Sequence, residues 1–273
     1  MKINKKIAIM FSTVAAISLL AGCGSNTPKA EKKAALTTLH VATNATYVPF
    51  EFKNEKEKGY QGYEIEVVKA VAKELGKKPE FQNIPFSGLI PALQAGDVDM
   101  AASGMTITKK RGEKVLFAAP FYASRQVILT KKDSGIKTPE DLKGHQVALQ
   151  MGTVSAKYAA DHGLKMKQFD HNAEALMELE IGGSDAVLLD KPVADYFITT
   201  NSKKGKNDVI VIDIPEAQKE YFGFAFNHDN KELQKSVNEA LAKLTANGEL
   251  NKIYKKWFST DMDTFPKTAE ETF

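Results

Sequence analysis

Apolar and polar positions along this chain switch between two spacings, and the switch recurs. Leu39–Asn44 (LHVATN) is a short β-type run. GYEIEVVKAVAKELG follows, with Ile65, Val68, Val71, Ala72 and Leu75 three and four residues apart. That spacing predicts an amphipathic helix, and Gly76 falls where a glycine C-terminal cap belongs. Residues around 80–84 read as extended. Ser87 is placed to cap a second helix, GLIPALQAG, with Pro91 early in it and Gly96 closing it. VDMAA, Val98–Ala102, is the next strand. Strand and helix in alternation predict a parallel sheet covered by helices.

The pattern then starts again. Thr138-Pro139-Glu140-Asp141 has the form of a helix start: a hydroxyl cap, proline next, an acid two residues later. QVALQ (Gln146–Gln150) and AVLLD (Ala186–Asp190) read as strands, SAKYAADHG and NAEALMELEIGG as helices. NKELQKSVNEALAKLTANG and ELNKIYKKWF add two helices, and residues 259–273, Ser259 followed by TDMDTFPKTAEETF, read as a weakly structured tail. Two similar halves predict an α/β chain of two lobes. The first holds residues 39–121 with 222–258, and the second, residues 126–217, is inserted between them. The crossings fall near Phe121–Arg125 and Glu216–Phe222.

The N-terminus changes the setting. Lys2, Lys5 and Lys6 precede the apolar run IAIMFSTVAAISLLAG, which is shorter than the ~20 residues of a spanning helix. Residues 1–22 therefore read as a secretory signal. LAGC, Leu20–Cys23, resembles the lipobox of bacterial lipoproteins, which implies lipidation of Cys23 and an anchor on the outer face of the cell membrane. Residues 23–38, which include SNTPKAEKKAA, read as a flexible tether. Cys23 is the single cysteine, so no disulfide within the chain supports the fold. Removal of residues 1–22 takes three lysines and no acids, leaving 34 charges of each sign. A formally neutral mature chain argues against a nucleic-acid partner.

In a parallel α/β sheet, ligands sit beyond the C-terminal strand ends. Four polar clusters fall there: NATY, SGMTITKKR, QMGTVS and LDKP. Arg111 offers a planar fork that can hold a carboxylate through two charge-assisted hydrogen bonds. Gly104 allows close approach of backbone, and Thr106 presents a hydroxyl beside it. Gly152 and Thr153 open a helix whose N–H groups suit the same carboxylate. Asp190 carries the charge to meet an ammonium. Together these groups match an α-amino acid.

ATYVPFEF, GYEIEVVKAVAKEL, FSGLIPALQAGDVDM, GMTITKKR, FAAPFY and NKIYKKWF resemble the bacterial extracellular solute-binding proteins, family 3, over roughly residues 39–258. The glutamine-binding type is nearest in wording. The resemblance implies a two-lobed periplasmic-binding-protein-like fold of type II, joined by two strands and closing on its ligand by hinge motion. It also implies a monomer that takes a free L-amino acid and works with an ABC permease and ATPase, with no cofactor or metal and no catalysis. It places the α-carboxylate on Arg111, Thr106 and the Thr153 loop, and the α-ammonium on Asp190, the Gly104 carbonyl and Thr106. Tyr47 and Phe86 become aromatic walls, and Ser103 joins the same lining. Core aromatics remain the other reading of Tyr47 and Phe86, and a helix cap ahead of Pro192 the other reading of Asp190.

Three positions depart from the family pattern, all at the side-chain end of the pocket. Asn44 stands where glutamine and basic-amino-acid receptors carry Asp, Gln150 where the glutamine type carries Lys, and Leu189 where it carries His. Two amides suit an uncharged polar side chain such as glutamine's. Glu55, Glu57 or Glu64 reaching the pocket would instead suit a basic ligand, and Arg125 is the one cation available to an acidic one. Of the five histidines only His40 falls near a cleft-facing strand end, and none shows a metal-ligand spacing. A lyase or hydrolase on this fold, and a sensor without transport, are the rival functions.

Overall fold

The computed structural model describes residues 37–54 and 59–273. The signal, Cys23, most of the tether, Glu55 and Glu57 lie outside the described residues.

β1 (Thr37–Thr43) is fully buried from Val41 onward, as expected of a strand covered on both faces. The chain then makes a small antiparallel sheet from β2 (Thr46–Tyr47), β3 (Glu51–Lys53) and β4 (Tyr60–Gln61). α1 (Tyr63–Glu74) follows, and its Val67, Val68, Val71 and Ala72 are wholly buried. Gly76, at φ 63°, turns the chain out of the helix as its sequence position predicts. β5 (Lys77–Asn83), α2 (Leu89–Ala95), β6 (Met100–Ala101), α3 (Lys109–Gly112) and β7 (Leu116–Phe117) complete this stretch.

β8 (Tyr122–Ser124) leads to β9 (Gln126–Lys131) and β10 (Gln146–Gln150). Then come α4 (Val154–Asp161), β11 (Lys165–Phe169), α5 (Asn172–Glu180), β12 (Ala186–Asp190), α6 (Lys191–Lys203) and β13 (Val209–Asp213). β14 (Glu220–Phe222) pairs antiparallel with β8, so the outgoing and returning chain run side by side. β15 (Ala225–Phe226), α7 (Lys231–Ala246) and α8 (Glu249–Phe258) close the fold.

One five-stranded sheet has the order β5-β1-β6-β15-β7, the other β11-β10-β12-β9-β13. The pattern predicts parallel sheets, and the structure corrects this. Three strands in each are parallel, while β15 and β9 run antiparallel to their neighbours. Both reversed strands follow directly on a crossing strand. They arrive from the other half of the molecule and need no helical crossover, which parallel pairing would require.

Two helix starts also differ. Ser87 lies inside a 3₁₀ turn, Phe86–Gly88, and α2 begins behind Gly88 with no side-chain cap. At Thr138 the capping box does form, with Asp141 Oδ2 accepting from the Thr138 N–H at 2.9 Å. It starts only a single 3₁₀ turn, Pro139–Leu142, because Lys143 leaves the helical region and Gly144 follows at φ 89°.

Leu39 and Val41 of β1 join the valines of α1, with Val237, Leu241 and Leu244 of α7 and Leu250 and Ile253 of α8 packed into the same core. Burying each such side chain stabilises the fold by roughly 1.5–3 kcal/mol. An aromatic cluster ties the crossing strands to the C-terminal helix. Tyr122 lies 4.9 Å from Phe258 and 5.6 Å from Tyr254, centroid to centroid, and stacks on Phe222 at 5.6 Å. The apolar positions of NKIYKKWF thus serve to hold the crossing.

Candidate functional site

Four strand ends converge. Asn44 follows β1, Ser103 to Thr106 follow β6, Gln150 ends β10 and Asp190 ends β12. Tyr47 comes from β2, Phe86 from the 3₁₀ turn, Arg111 from α3, and Thr153 caps α4. All ten line a single cavity, together with Glu51, Ser155, Asn172 and Leu189. The free space is small, about 20 Å³ for the centre of a water-sized sphere. That is room for a water or two, so a larger guest must part the walls.

Arg111 is seated by its own short helix. Thr108 Oγ1 accepts from the Arg111 N–H at 3.2 Å, which aims the side chain inward. The guanidinium donates to the Thr106 carbonyl at 2.7 Å and to the Gly152 carbonyl at 3.1 Å. It joins the loop after β6 to the loop after β10. The Phe86 ring lies 5.3 Å from its carbon, a cation–π placement. Burial lowers its pKa to about 10, against the attraction of Glu220, Asp190 and Tyr47, so it stays charged at neutral pH. Gly104, at φ 53°, packs under Tyr47. A Cβ there would meet the ring at 2.7 Å, so glycine alone fits this floor.

Asp190 precedes α6 with no side-chain hydrogen bond capping it, and it lines the cavity. Ser124 Oγ donates to Oδ1 at 2.7 Å and Gln126 Nε2 at 3.0 Å, while the Tyr47 hydroxyl donates to Oδ2. Burial raises its pKa and these donors and Arg111 pull it back down. Gln126 Nε2 also reaches Glu220 Oε2 at 3.1 Å, and Ser155 donates to its Oε1. Burial first, and the Asp190 charge second, push Glu220 up to about 7. Sequence reading missed Gln126 and Glu220, which the Asp190↔Gln126 register of β12 and β9 brings in.

At the other end, Asn44 Nδ2 donates to the Ile84 carbonyl at 2.8 Å and faces His171 Nδ1 at 2.7 Å. Its Oδ1 accepts from Gln150 Nε2 at 3.0 Å and from Thr46 Oγ1 at 3.1 Å. Gln150 Nε2 donates also to the Asp170 carbonyl at 2.9 Å. The histidine expectation is corrected: His40 is the middle residue of β1, exposed, and His171 is the one at the cleft. Arg125 pairs with Asp213 at 2.9 Å, both half-exposed, and does not line the cavity.

Beneath Ser103 and Gly104 lie two fully buried acids. Ser103 Oγ donates to Glu51 Oε1 at 3.1 Å, and the Gly104 N–H donates to Glu64 Oε2 at 2.6 Å. The other oxygen of each has no hydrogen-bonding donor. Burial pushes Glu51 well up and Glu64 up to about 7, with each carboxyl acting on the other. Two carboxyls buried beside one another each disfavour the ionisation of the other. Glu64 thus supports Gly104 from below, while Glu51 lines the cavity.

These raised values fix the sign of the pH dependence. The folded protein holds protons that the unfolded chain releases above about 4.5. That contribution to stability is complete below about 4.5 and is lost as pH rises through about 7. The expected Tm is higher at pH 5 than at pH 8 by roughly 3–8 °C, and Glu64→Gln should flatten the profile. Calorimetric scans check this; equal Tm at both pH values, or an unchanged slope in the variant, would sink it.

No helix among the described residues is long and apolar enough to cross a membrane, and no metal-ligating cluster occurs among them. The family model for bacterial extracellular solute-binding proteins, family 3, matches residues 39–260. The chain is 33% identical over 261 residues to the arginine-binding extracellular protein ArtP of Bacillus subtilis (strain 168), covering 93% of this chain and 98% of that protein. Among solved structures, an ancestral arginine-binding protein bound to glutamine superposes with a TM-score of 0.77 at 39% identity, over 83% of this chain and all of that one. An ancestral amino-acid-binding protein described as a precursor of cyclohexadienyl dehydratase gives 0.73 at 42%, over 81% and 95%. The two-lobed periplasmic-binding-protein-like fold is shared with them, and the chain belongs to the bacterial extracellular solute-binding proteins, family 3.

Proposed function

We propose that this protein captures a free L-amino acid outside the cell and delivers it to an ABC importer. One observation carries the reading: Arg111 and Asp190 face one cavity from the two sheets' strand-end loops, a cation and a carboxylate matched to an α-carboxylate and an α-ammonium. Thr106, Thr153 and Gly104 supply further partners for the same two groups, and Tyr47 and Phe86 enclose the ligand. The lobes, residues 39–121 with 222–258 and residues 126–217, close by bending at the paired strands β8 and β14. Closure is what the permease and ATPase subunits read.

The ligand is a neutral polar amino acid of the glutamine kind. The amides of Asn44 and Gln150 support this, as does the solved relative that holds glutamine. A basic ligand is the second reading, favoured by Glu51 in the cavity lining and by the arginine-binding relative. Isothermal titration of ligand-stripped protein against the twenty amino acids, with ornithine, citrulline and cystine, tests both. Tight binding of glutamine supports the first and tight binding of arginine the second. Silence across the panel, or chemical conversion of a ligand, would overturn the receptor reading.

The receptor works as a monomer, held at the membrane's outer face by a lipid on Cys23. With Cys23→Ala the protein is expected in the medium or soluble extract rather than the membrane fraction; a variant that still pellets with membranes contradicts the anchor.

A further inference from the structure

Two side-chain atoms of the described cavity lining are left over, the acceptor Glu51 Oε2 and one donor. Asn44 is fully committed, and so is the amide nitrogen of Gln150. Asn172 is not. It is 3% exposed, lines the same cavity, and its Nδ2 has no hydrogen-bond partner. A buried donor left unpaired costs about 1–3 kcal/mol, so such a group in a cavity wall is a site waiting for an acceptor.

Its surroundings narrow the acceptor. Asn172 opens α5, a nine-residue helix, and the partial positive charge of that helix end favours an oxygen. A second anionic group on the ligand is disfavoured: Asp190 lines the same space, and Arg111 is the single cation among the described residues of the lining. A cationic side chain would bring N–H groups against the Asn172 N–H. His171, immediately before it, holds Asn44 from the facing loop and so fixes the wall in which Asn172 sits.

We infer that Asn172 is the residue that reads the ligand's side chain, donating from Nδ2 to the oxygen of a carboxamide. The inference rests on the amino-acid-receptor reading and deepens it. It assigns specificity to a residue apart from the Arg111 and Asp190 pair that holds the α-groups. The sequence pattern gives Asn172 no part in the site, since it reads there only as the first residue of a helix.

The test compares glutamine with methionine, nearly its isostere but with no carbonyl, by titration calorimetry on the purified protein. The parent should prefer glutamine. Asn172→Leu should weaken glutamine binding by about ten- to a hundredfold while methionine changes by less than about threefold. Asn172→Asp keeps the shape and removes the donor, so it covers the case in which the leucine variant fails to fold. It should also lose the preference for glutamine and gain affinity for arginine. A glutamine-to-methionine ratio unchanged in both variants, or a parent that binds arginine more tightly than glutamine, overturns the assignment and leaves the receptor reading in place. A parent that binds no amino acid overturns both.

Discussion

Arg111→Ala is expected to abolish amino-acid binding while the protein stays folded. The guanidinium carries two functions. It is the single cation among the described residues that line the cavity, and its two hydrogen bonds to the Thr106 and Gly152 carbonyls join loops on facing sheets. On the proposed reading, a ligand carboxylate takes the place of those carbonyls as partner of the fork. Truncating one member of a buried charge pair costs about 2–5 kcal/mol, or roughly 30- to several-thousand-fold in affinity. The fold loses little, because the side chain fills no part of the cores around α1 and β10. Arg111→Lys keeps the charge without the fork and should fall between. Titration calorimetry and a thermal melt on each variant decide the matter. Parent-like affinity in the alanine variant would show that the carboxylate docks elsewhere.

Asp190→Asn has two expected effects of opposite sign. The ammonium of the ligand loses its counter-charge, so affinity falls by about 2–4 kcal/mol, or thirty- to a thousandfold. The ligand-free protein should be as stable as the parent or more so at neutral pH. Burial raises the pKa of this carboxyl, which means the folded state holds its charge at a cost. Asparagine has the same shape, and the hydroxyls of Ser124 and Tyr47 and the Gln126 amide can each turn to meet it. A lower Tm together with unchanged affinity would reverse both halves of this account and return Asp190 to a structural role.

The closed cleft also explains why its polar groups are matched in pairs. Tyr47 with Asp190, Arg111 with two carbonyls and Asn44 with Gln150 satisfy one another across a cavity of about 20 Å³. A ligand must exchange these bonds for its own, so only groups that match them gain from closure. Specificity then falls to positions with something unmatched, and Asn172 is such a position.

The elements themselves were legible because their causes are local. Helical spacing of Ile65, Val68 and Val71, Gly76 and Gly96 at left-handed turns, and Thr153 at a helix start each act within a few residues. Nine of the ten cavity positions were legible for a related reason, and Phe86 came from the family resemblance. Strand ends of an α/β sheet must converge, whatever the exact sheet order, and the polar clusters sat at those ends. The β9 strand and the α6 helix went unassigned, although QVILTK and ADYFITTNSK carry readable patterns. Ser87 failed as a cap because the turn after Pro85 shifted the helix start to Gly88.

What the sequence alone determined is therefore the two-half α/β plan and the polar groups that the strand ends bring to one cavity. Only the tertiary structure decided which distant residues those groups pair with. Gln126 reaches Asp190 through an antiparallel register 64 residues away, and His171 faces Asn44 from 127 residues away. Glu51 and Glu64 share one buried site under Gly104. No spacing rule encodes such pairings. They arise where sheet order and closure of the cleft bring side chains into a space too dry for either partner to stay unpaired.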